Sequence, residues 1–243
     1  MAMRLCLLAL LWGFCEQNFA AETLRMGFGS NKPPYVFENE QRGLEYEIVV
    51  AALKSAGFQV LQPYYAPMER LHLRLKRGEL DGIATTQDDG GAAFYSDVYI
   101  EYQNVAVALA KRQLQINSVA DLAGYSISSF QRSRFFFGPE FQAMAEHNPR
   151  YREEPRQINR NRLLYAGRID LVIADRRIFR YFNTLVGDQV DVSQPVTLYP
   201  LFPATPYQLG FRLAVQRDRF NQGLKAIRAS GEYQQIEQRY ADY

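Results

Sequence analysis

Thr85, Thr86 and Asp175 stand where this chain is best placed to do chemistry on a small molecule, because each closes the same phrase. Residues 74–86 read Arg-Leu-Lys-Arg-Gly-Glu-Leu-Asp-Gly-Ile-Ala-Thr-Thr, and residues 163–175 read Leu-Leu-Tyr-Ala-Gly-Arg-Ile-Asp-Leu-Val-Ile-Ala-Asp. In both, a helix end leads to a glycine, a charged residue, an apolar residue, Asp and a short apolar strand. Gly78 and Gly167 sit where a left-handed cap favours a residue without Cβ. The strands are apolar throughout, as in a parallel sheet with helices on both faces. Ligands of open α/β sheets bind beyond the carboxyl ends of the strands. Those ends carry Thr85-Thr86 in one unit and Asp175 in the other. Two lobes aiming polar groups into one cleft have the physical plan of a small-molecule binding protein. Asp175 also opens the following helix, and Asp caps well; ligand contact and capping are both open to it, and both can hold.

Other side chains could join such a cleft. Tyr35 follows two prolines that stiffen its backbone, so its ring is either a platform for a ligand or part of the core. Arg70 lies on a helix beside the cleft side, free to touch a ligand, bridge the lobes or stay solvated. Arg132 and Arg134 flank Ser133 in a loop just after a strand. Asp81 and Asp170 read as structural turn acids, and the solitary His72 and His147 as surface residues. No Ser-His-Asp order, metal cluster or phosphate loop is visible, so no metal and no cofactor is expected. An enzyme on this scaffold would need a positioned acid or base, for which Glu45, Asp88, Asp89 and Asp175 are the candidates.

The ends and the composition bound the class. Residues 1–4 give a short basic start, 5–15 an apolar run and 16–21 a polar, small-residue exit, the layout of a signal peptide cleaved near Ala20 or Ala21. That run is too short to cross about 30 Å of hydrocarbon, which takes about 20 residues. Cys6 and Cys15 both lie within it, so the mature chain would have no thiol and no disulfide. Arg4 and Glu16 would leave together and keep the net charge at +2. The 16 Tyr and 16 Phe suit a ring-lined cleft as well as an ordinary core. The densest charged run, 150–162, interleaves arginines with Glu153, Glu154 and asparagines and reads as a solvated helix face, not a nucleic-acid groove.

Periodicity and punctuation supply the elements that must position these groups. A strand over 23–28, a helix from Gly43 to Gly57, a strand over 58–65, a helix from Pro67 to Gly78 and a strand over 80–85 form a β-α-β-α-β order, hence a parallel sheet. Further strands are expected over 104–110, 125–130, 169–174, 196–201 and 207–216, with an extended stretch over 151–156. Helices are expected over 138–147, 159–166 (capped by Asn159), 176–184, 218–229 and 232–241. The strands over 104–110 and 207–216 are read as paired crossings, a two-segment hinge on which two lobes open and close.

Taken in order, Leu-Arg-Met-Gly-Phe, Pro-Pro-Tyr-Val-Phe, Gly-Leu-Glu-Tyr-Glu-Ile, Leu-Lys-Arg-Gly-Glu-Leu-Asp-Gly-Ile, Gly-Arg-Ile-Asp-Leu-Val-Ile-Ala-Asp and Gly-Glu-Tyr-Gln-Gln-Ile-Glu-Gln-Arg-Tyr resemble the family 3 extracytoplasmic solute-binding proteins. These are the receptors of polar amino-acid ABC importers, and the resemblance covers residues 22–243. It implies an α/β, two-lobed periplasmic-binding-protein type II fold, each lobe a mostly parallel sheet flanked by helices. Residues 1–21 would be the signal peptide, 22–106 with 207–243 a discontinuous first lobe, and 107–206 the second. It implies a periplasmic monomer that captures a small polar solute, an amino acid or related compound, for an ABC permease, without catalysis. The alternatives are a cyclohexadienyl-dehydratase-like enzyme and a ligand-sensing partner of a membrane receptor. Carried over by residue, Tyr35 matches an aromatic site, Thr85 and Thr86 a hydroxyl pair on the ligand, Ser133 or Arg134 a carboxylate-touching loop, and Asp175 the acid that pairs with an α-ammonium. One departure stands out. The arginine usual soon after the hydroxyl pair, which forks onto an α-carboxylate, is missing from Gln87-Asp88-Asp89-Gly90-Gly91-Ala92-Ala93. Arg70, Arg132 or Arg134 would have to compensate.

Overall fold

Among the described residues the chain forms two main sheets, each sandwiched by helices, and a small third sheet of two strands. A computed structural model describes residues 22–30, 32–38, 40–60, 62–88 and 93–243. The expected signal peptide with Cys6 and Cys15 lies outside the described residues, as do Asp89, Gly90, Gly91 and Ala92. The chain opens with β1 (Glu22–Leu24), β2 (Met26–Gly29), α1 (Leu44–Ser55), β3 (Phe58–Val60), β4 (Tyr64–Ala66), α2 (Met68–Lys76), β5 (Gly82–Thr86), β6 (Phe94–Tyr95) and β7 (Ile100–Tyr102). It continues with β8 (Asn104–Leu109), β9 (Ile127–Ser129), α3 (Ser133–Phe136), α4 (Pro139–His147), β10 (Tyr151–Glu153), α5 (Gln157–Tyr165), β11 (Leu171–Asp175), α6 (Arg176–Asn183) and β12 (Val196–Tyr199). It closes with β13 (Thr205–Phe211), α7 (Ala214–Ala229) and α8 (Glu232–Arg239).

The first sheet has the order β4-β2-β5-β13-β6 and the second β10-β9-β11-β8-β12. Both are parallel over their first three strands and antiparallel beyond. The parallel half is the one expected from the β-α-β order. The antiparallel half comes from the strands that enter from the far side of the molecule.

The repeated phrase builds the same local structure twice. Gly78 and Gly167 have φ of +72° and +70°. Their N–H groups donate to the Leu75 and Leu164 carbonyls, and those of Glu79 and Arg168 to the Arg74 and Leu163 carbonyls, the paired bonds that close a helix on a left-handed residue. Asp81 then accepts from the backbone N–H of Arg25 at 3.0 Å, and Asp170 from that of Ser126 at 2.8 Å. Each acid thereby splices the turn to the neighbouring strand, the structural role expected for both. Burial would raise the Asp81 carboxyl, but hydrogen bonds from Arg25 and Arg212 hold it below the usual carboxylate range.

The sheets are joined where β7 becomes β8 at Gln103 and where the chain returns from β12 to β13. There β7 pairs antiparallel with the start of β13, Tyr102 opposite Thr205 and Ile100 opposite Tyr207. The crossings therefore lie beside, not within, the long strands expected to form them: β8 belongs wholly to the second sheet. The strand expected over 207–216 occupies 205–211, because helix α7 begins at Ala214. The helix expected from Asn159 starts at Gln157 after Arg156. In the run read as a solvated face, Gln157, Arg160 and Asn161 are buried against the second sheet. They share a stripe with Leu164 and meet inward partners: Arg160 Nη1 donates to the Ile173 carbonyl at 3.0 Å, and Asn161 Nδ2 to the Phe179 carbonyl at 2.9 Å.

Candidate functional site

A cavity of about 440 Å³ opens between the two sheets, beyond the carboxyl ends of β2 and β11. That is where open α/β sheets hold ligands, and the size falls within the ~300–1,000 Å³ of small-molecule sites. Lys32, Tyr102 and Tyr207 line it from the first sheet's side. Asn104, Gln157, Arg160, Ala174 and Asp175 line it from the second. Phe130, Phe136, Ile178 and Phe182 supply its apolar surface, and Arg156 an outer cation.

Asp175, expected either to cap a helix or to touch a ligand, caps α6 and reaches the cavity wall. Its Oδ1 accepts from the backbone N–H groups of Arg177 at 2.9 Å and Ile178 at 3.1 Å. Its Oδ2 accepts from the Tyr35 hydroxyl at 3.1 Å and the Gln103 N–H at 2.9 Å. One carboxylate thus binds the second lobe's helix, the crossing and a first-lobe tyrosine. Burial raises its pKa, and these four bonds oppose the rise.

Tyr35 is in the core, stacked on Tyr102 with ring centroids 3.7 Å apart. Thr85 and Thr86 end β5, but their hydroxyls are engaged within the first lobe. Thr85 has φ +59°, and the register of β5 on β13 shifts between Gln208 and Gly210. This bulge re-aims the side chain, so Oγ1 donates to Glu45 Oε1 at 2.6 Å. Thr86 Oγ1 donates to the Gln208 carbonyl at 2.7 Å.

Glu45, in the first turn of α1, has no exposed surface and accepts from three hydroxyls: Thr85, Tyr99 and Tyr102, the last at 2.6 Å. A buried carboxylate needs such charge-assisted bonds. Burial first, then the Glu45 charge, pushes the phenols of Tyr99 and Tyr102 well above the usual tyrosine range.

The remaining candidates lie apart from the cavity. Arg70 is exposed on α2. Arg132 is exposed and reaches Glu69 of α2 at 3.4 Å, an exposed ion pair between the two lobes. Ser133 is buried with its hydroxyl 2.7 Å from that of Tyr151, and Arg134 Nε donates to Glu153 at 3.2 Å.

Sequence reasoning missed Lys32, Asn104, Gln157 and Arg160. For Arg160 a signal existed: it lies four residues before the apolar Leu164, on the inward stripe of its helix. Among the described residues no group of three or more His, Cys, Asp or Glu could hold a metal ion. No helix there is long and apolar enough to cross a membrane.

Comparison with known proteins places this architecture. The family described as bacterial extracellular solute-binding proteins, family 3, matches residues 24–243. No curated protein sequence matches the chain. Among solved structures, an ancestral arginine-binding protein bound to arginine superposes with a TM-score of 0.67 at 20% identity, covering 91% of this chain and 99% of that one. The GluR0 ligand-binding core in complex with L-glutamate gives 0.71 at 15% identity, covering 91% and 99%. The ancestral amino acid-binding protein AncCDT-1, a precursor of cyclohexadienyl dehydratase, gives 0.64 at 18% identity, covering 90% and 95%. The family match spans nearly every described residue and the structural likeness extends across both sheets, so this chain belongs to the bacterial extracellular solute-binding proteins of family 3 and has their two-lobed, type II binding-protein fold.

Proposed function

We propose that this chain is an extracytoplasmic, periplasmic solute-binding protein. It captures a small polar solute, an amino acid or related compound, between its lobes and presents it to an ABC permease. The observation that carries this reading is the cavity walled from both sheets, with polar and aromatic groups converging from each side. The lobes divide at the two crossings, at Gln103 and between β12 and β13, so that each sheet and its covering helices move as one body. A leader over residues 1–21 directs export, and the exported chain acts as a monomer.

The cavity favours capture over catalysis. Its one carboxylate among the described residues, Asp175, is occupied by four donors, and Glu45 is sealed behind Thr85, Tyr99 and Tyr102. Neither is held as a free acid or base toward a bound molecule. A thermal-shift screen of amino acids, opines, polyamines and small organic acids tests the reading. A ligand at a hundred times its Kd adds about 2.7 kcal/mol to stability, a rise of roughly 5–10 °C for a chain of this size. Silence across the whole panel refutes capture.

A further inference from the structure

The polar groups on the cavity wall are unevenly satisfied. A carboxylate offers about four acceptor positions. Asp175 has four donors on its two oxygens, from Tyr35, Gln103, Arg177 and Ile178. An ammonium group entering the cavity would have to break one of these bonds, each of which closes a helix, the crossing or the lobe contact.

The cations stand in the opposite condition. Arg160 is 5% exposed. One nitrogen, Nη1, donates to the Ile173 carbonyl, while Nε is buried with no partner among the described residues. No carboxylate among the described residues lies within 4.0 Å of the Arg160 guanidinium or the Lys32 ammonium. Burial lowers the Arg160 pKa to about 10, against the pull of Glu154 and Tyr151, so it stays a cation at neutral pH. Burial also lowers that of Lys32, opposed by the charge of Glu45 behind the tyrosine wall. A largely buried cation with no carboxylate in contact is costly until an anion joins it. Around the two cations stand rings: Phe130 packs edge-on to Phe136 at 5.7 Å, and the Arg160 guanidinium carbon lies 6.0 Å from the Phe130 centroid.

We infer that the cavity takes an organic acid that carries no ammonium group: its carboxylate binds Arg160, Lys32 supplies the second charge, and a flat apolar body lies among Phe130, Phe136 and Phe182. The inference rests on the capture reading and narrows it to a substrate class. It also accounts for the missing arginine after Thr86, because the carboxylate anchor has moved to the second lobe.

The test is calorimetric titration of the purified chain with compounds that differ only in the amine: 3-phenylpropanoate against phenylalanine, glutarate against glutamate, and phenethylamine as the amine alone. The expected result is binding of 3-phenylpropanoate at least about tenfold tighter than phenylalanine, with glutarate weaker for want of a ring, and none of phenethylamine. Arg160→Lys keeps the charge but loses the planar fork, and should weaken 3-phenylpropanoate by roughly tenfold or more. Lys32→Gln, which removes a cation without a structural bond from its ammonium, should weaken it about tenfold with a melting point no lower than the parent's. This second variant keeps the test valid if Arg160 proves necessary for folding. Tighter binding of phenylalanine or glutamate than of its amine-free partner overturns the inference and leaves capture standing. So does unchanged affinity in Lys32→Gln. Absence of binding by every compound here and in the thermal-shift panel refutes capture itself, and the inference with it.

Discussion

Replacing Asp175 with alanine should cost this protein its stability, whatever it does to a ligand. The magnitude follows from four bonds. Losing the cap on α6 costs about 1 kcal/mol. The Gln103 N–H and the Tyr35 hydroxyl are then left buried without an acceptor, at about 1–3 kcal/mol each. Burial of the charged carboxyl, which raises its pKa, offsets part of this. The net loss is about 3–5 kcal/mol, and at roughly 2–4 °C per kcal/mol for a chain of this length the melting point should fall by about 10 °C. Asp175→Asn keeps the shape and one carbonyl oxygen for the helix N–H groups, so it should lose about half as much. Differential scanning calorimetry of the two variants without added ligand is the assay. A melting point for Asp175→Ala within about 2 °C of the parent would refute the reasoning and return Asp175 to the role of a ligand group alone.

Three further outcomes are expected. Glu45→Gln places an amide where three hydroxyls donate to a carboxylate, and should lower stability by about 2 kcal/mol, read in urea as a lower midpoint at unchanged slope. An unmoved midpoint would show that the hydroxyls simply turn to new partners. Gly223→Ala should cost about 1–3 kcal/mol, because its Cβ would stand 2.0 Å from the Ala52 carbonyl oxygen where α7 crosses α1; a parent-like melting curve would mean the two helices part freely. Burial raises the Asp81, Asp170 and Glu153 carboxyls, but their hydrogen bonds and arginine partners outweigh it and hold all three low. The folded protein therefore binds fewer protons than the unfolded chain, and this stabilisation, complete above the unfolded value near 4, fades as pH falls through the folded values. Asp175, with its raised pKa, contributes with the opposite sign. Melting points should thus drop below about pH 4, and Asp81→Asn should make that drop shallower; an equally steep profile would remove Asp81 from the account.

The parts of the fold legible in the sequence are those where one residue type has one physical use. Gly78 and Gly167 could be placed because a left-handed cap selects glycine, and Asp81 and Asp170 because a turn acid beside a strand finds backbone N–H groups. The strands β5 and β11 were legible because an unbroken apolar run needs cover on both faces. What stayed hidden is direction. Thr85 sits at a strand end as expected, yet a bulge turns its hydroxyl to Glu45, and a bulge leaves no residue signature there. Arg160 was masked by the arginines around it, since charge density describes a segment and burial is decided stripe by stripe. Tyr99 and Tyr102 look like any core aromatics until the crossing brings them onto one carboxylate. The crossing was displaced by a few residues because strand pattern alone does not say to which sheet a strand belongs.

Glu45, Tyr102, Tyr35 and Asp175 form one column, linked by hydroxyl bonds at its ends and ring stacking at its middle, from the heart of one half to the helix cap of the other. Both rings belong to the first half, so rotation between the halves leaves the stack whole and parts the Tyr35 hydroxyl from Asp175. The sole tryptophan, Trp12, precedes residue 22, so at the long-wavelength edge of the near ultraviolet, where phenylalanine does not absorb, residues 22–243 show tyrosine alone. Separation of the halves is therefore written into the difference absorbance of one phenol, Tyr35, as it exchanges a carboxylate partner for water.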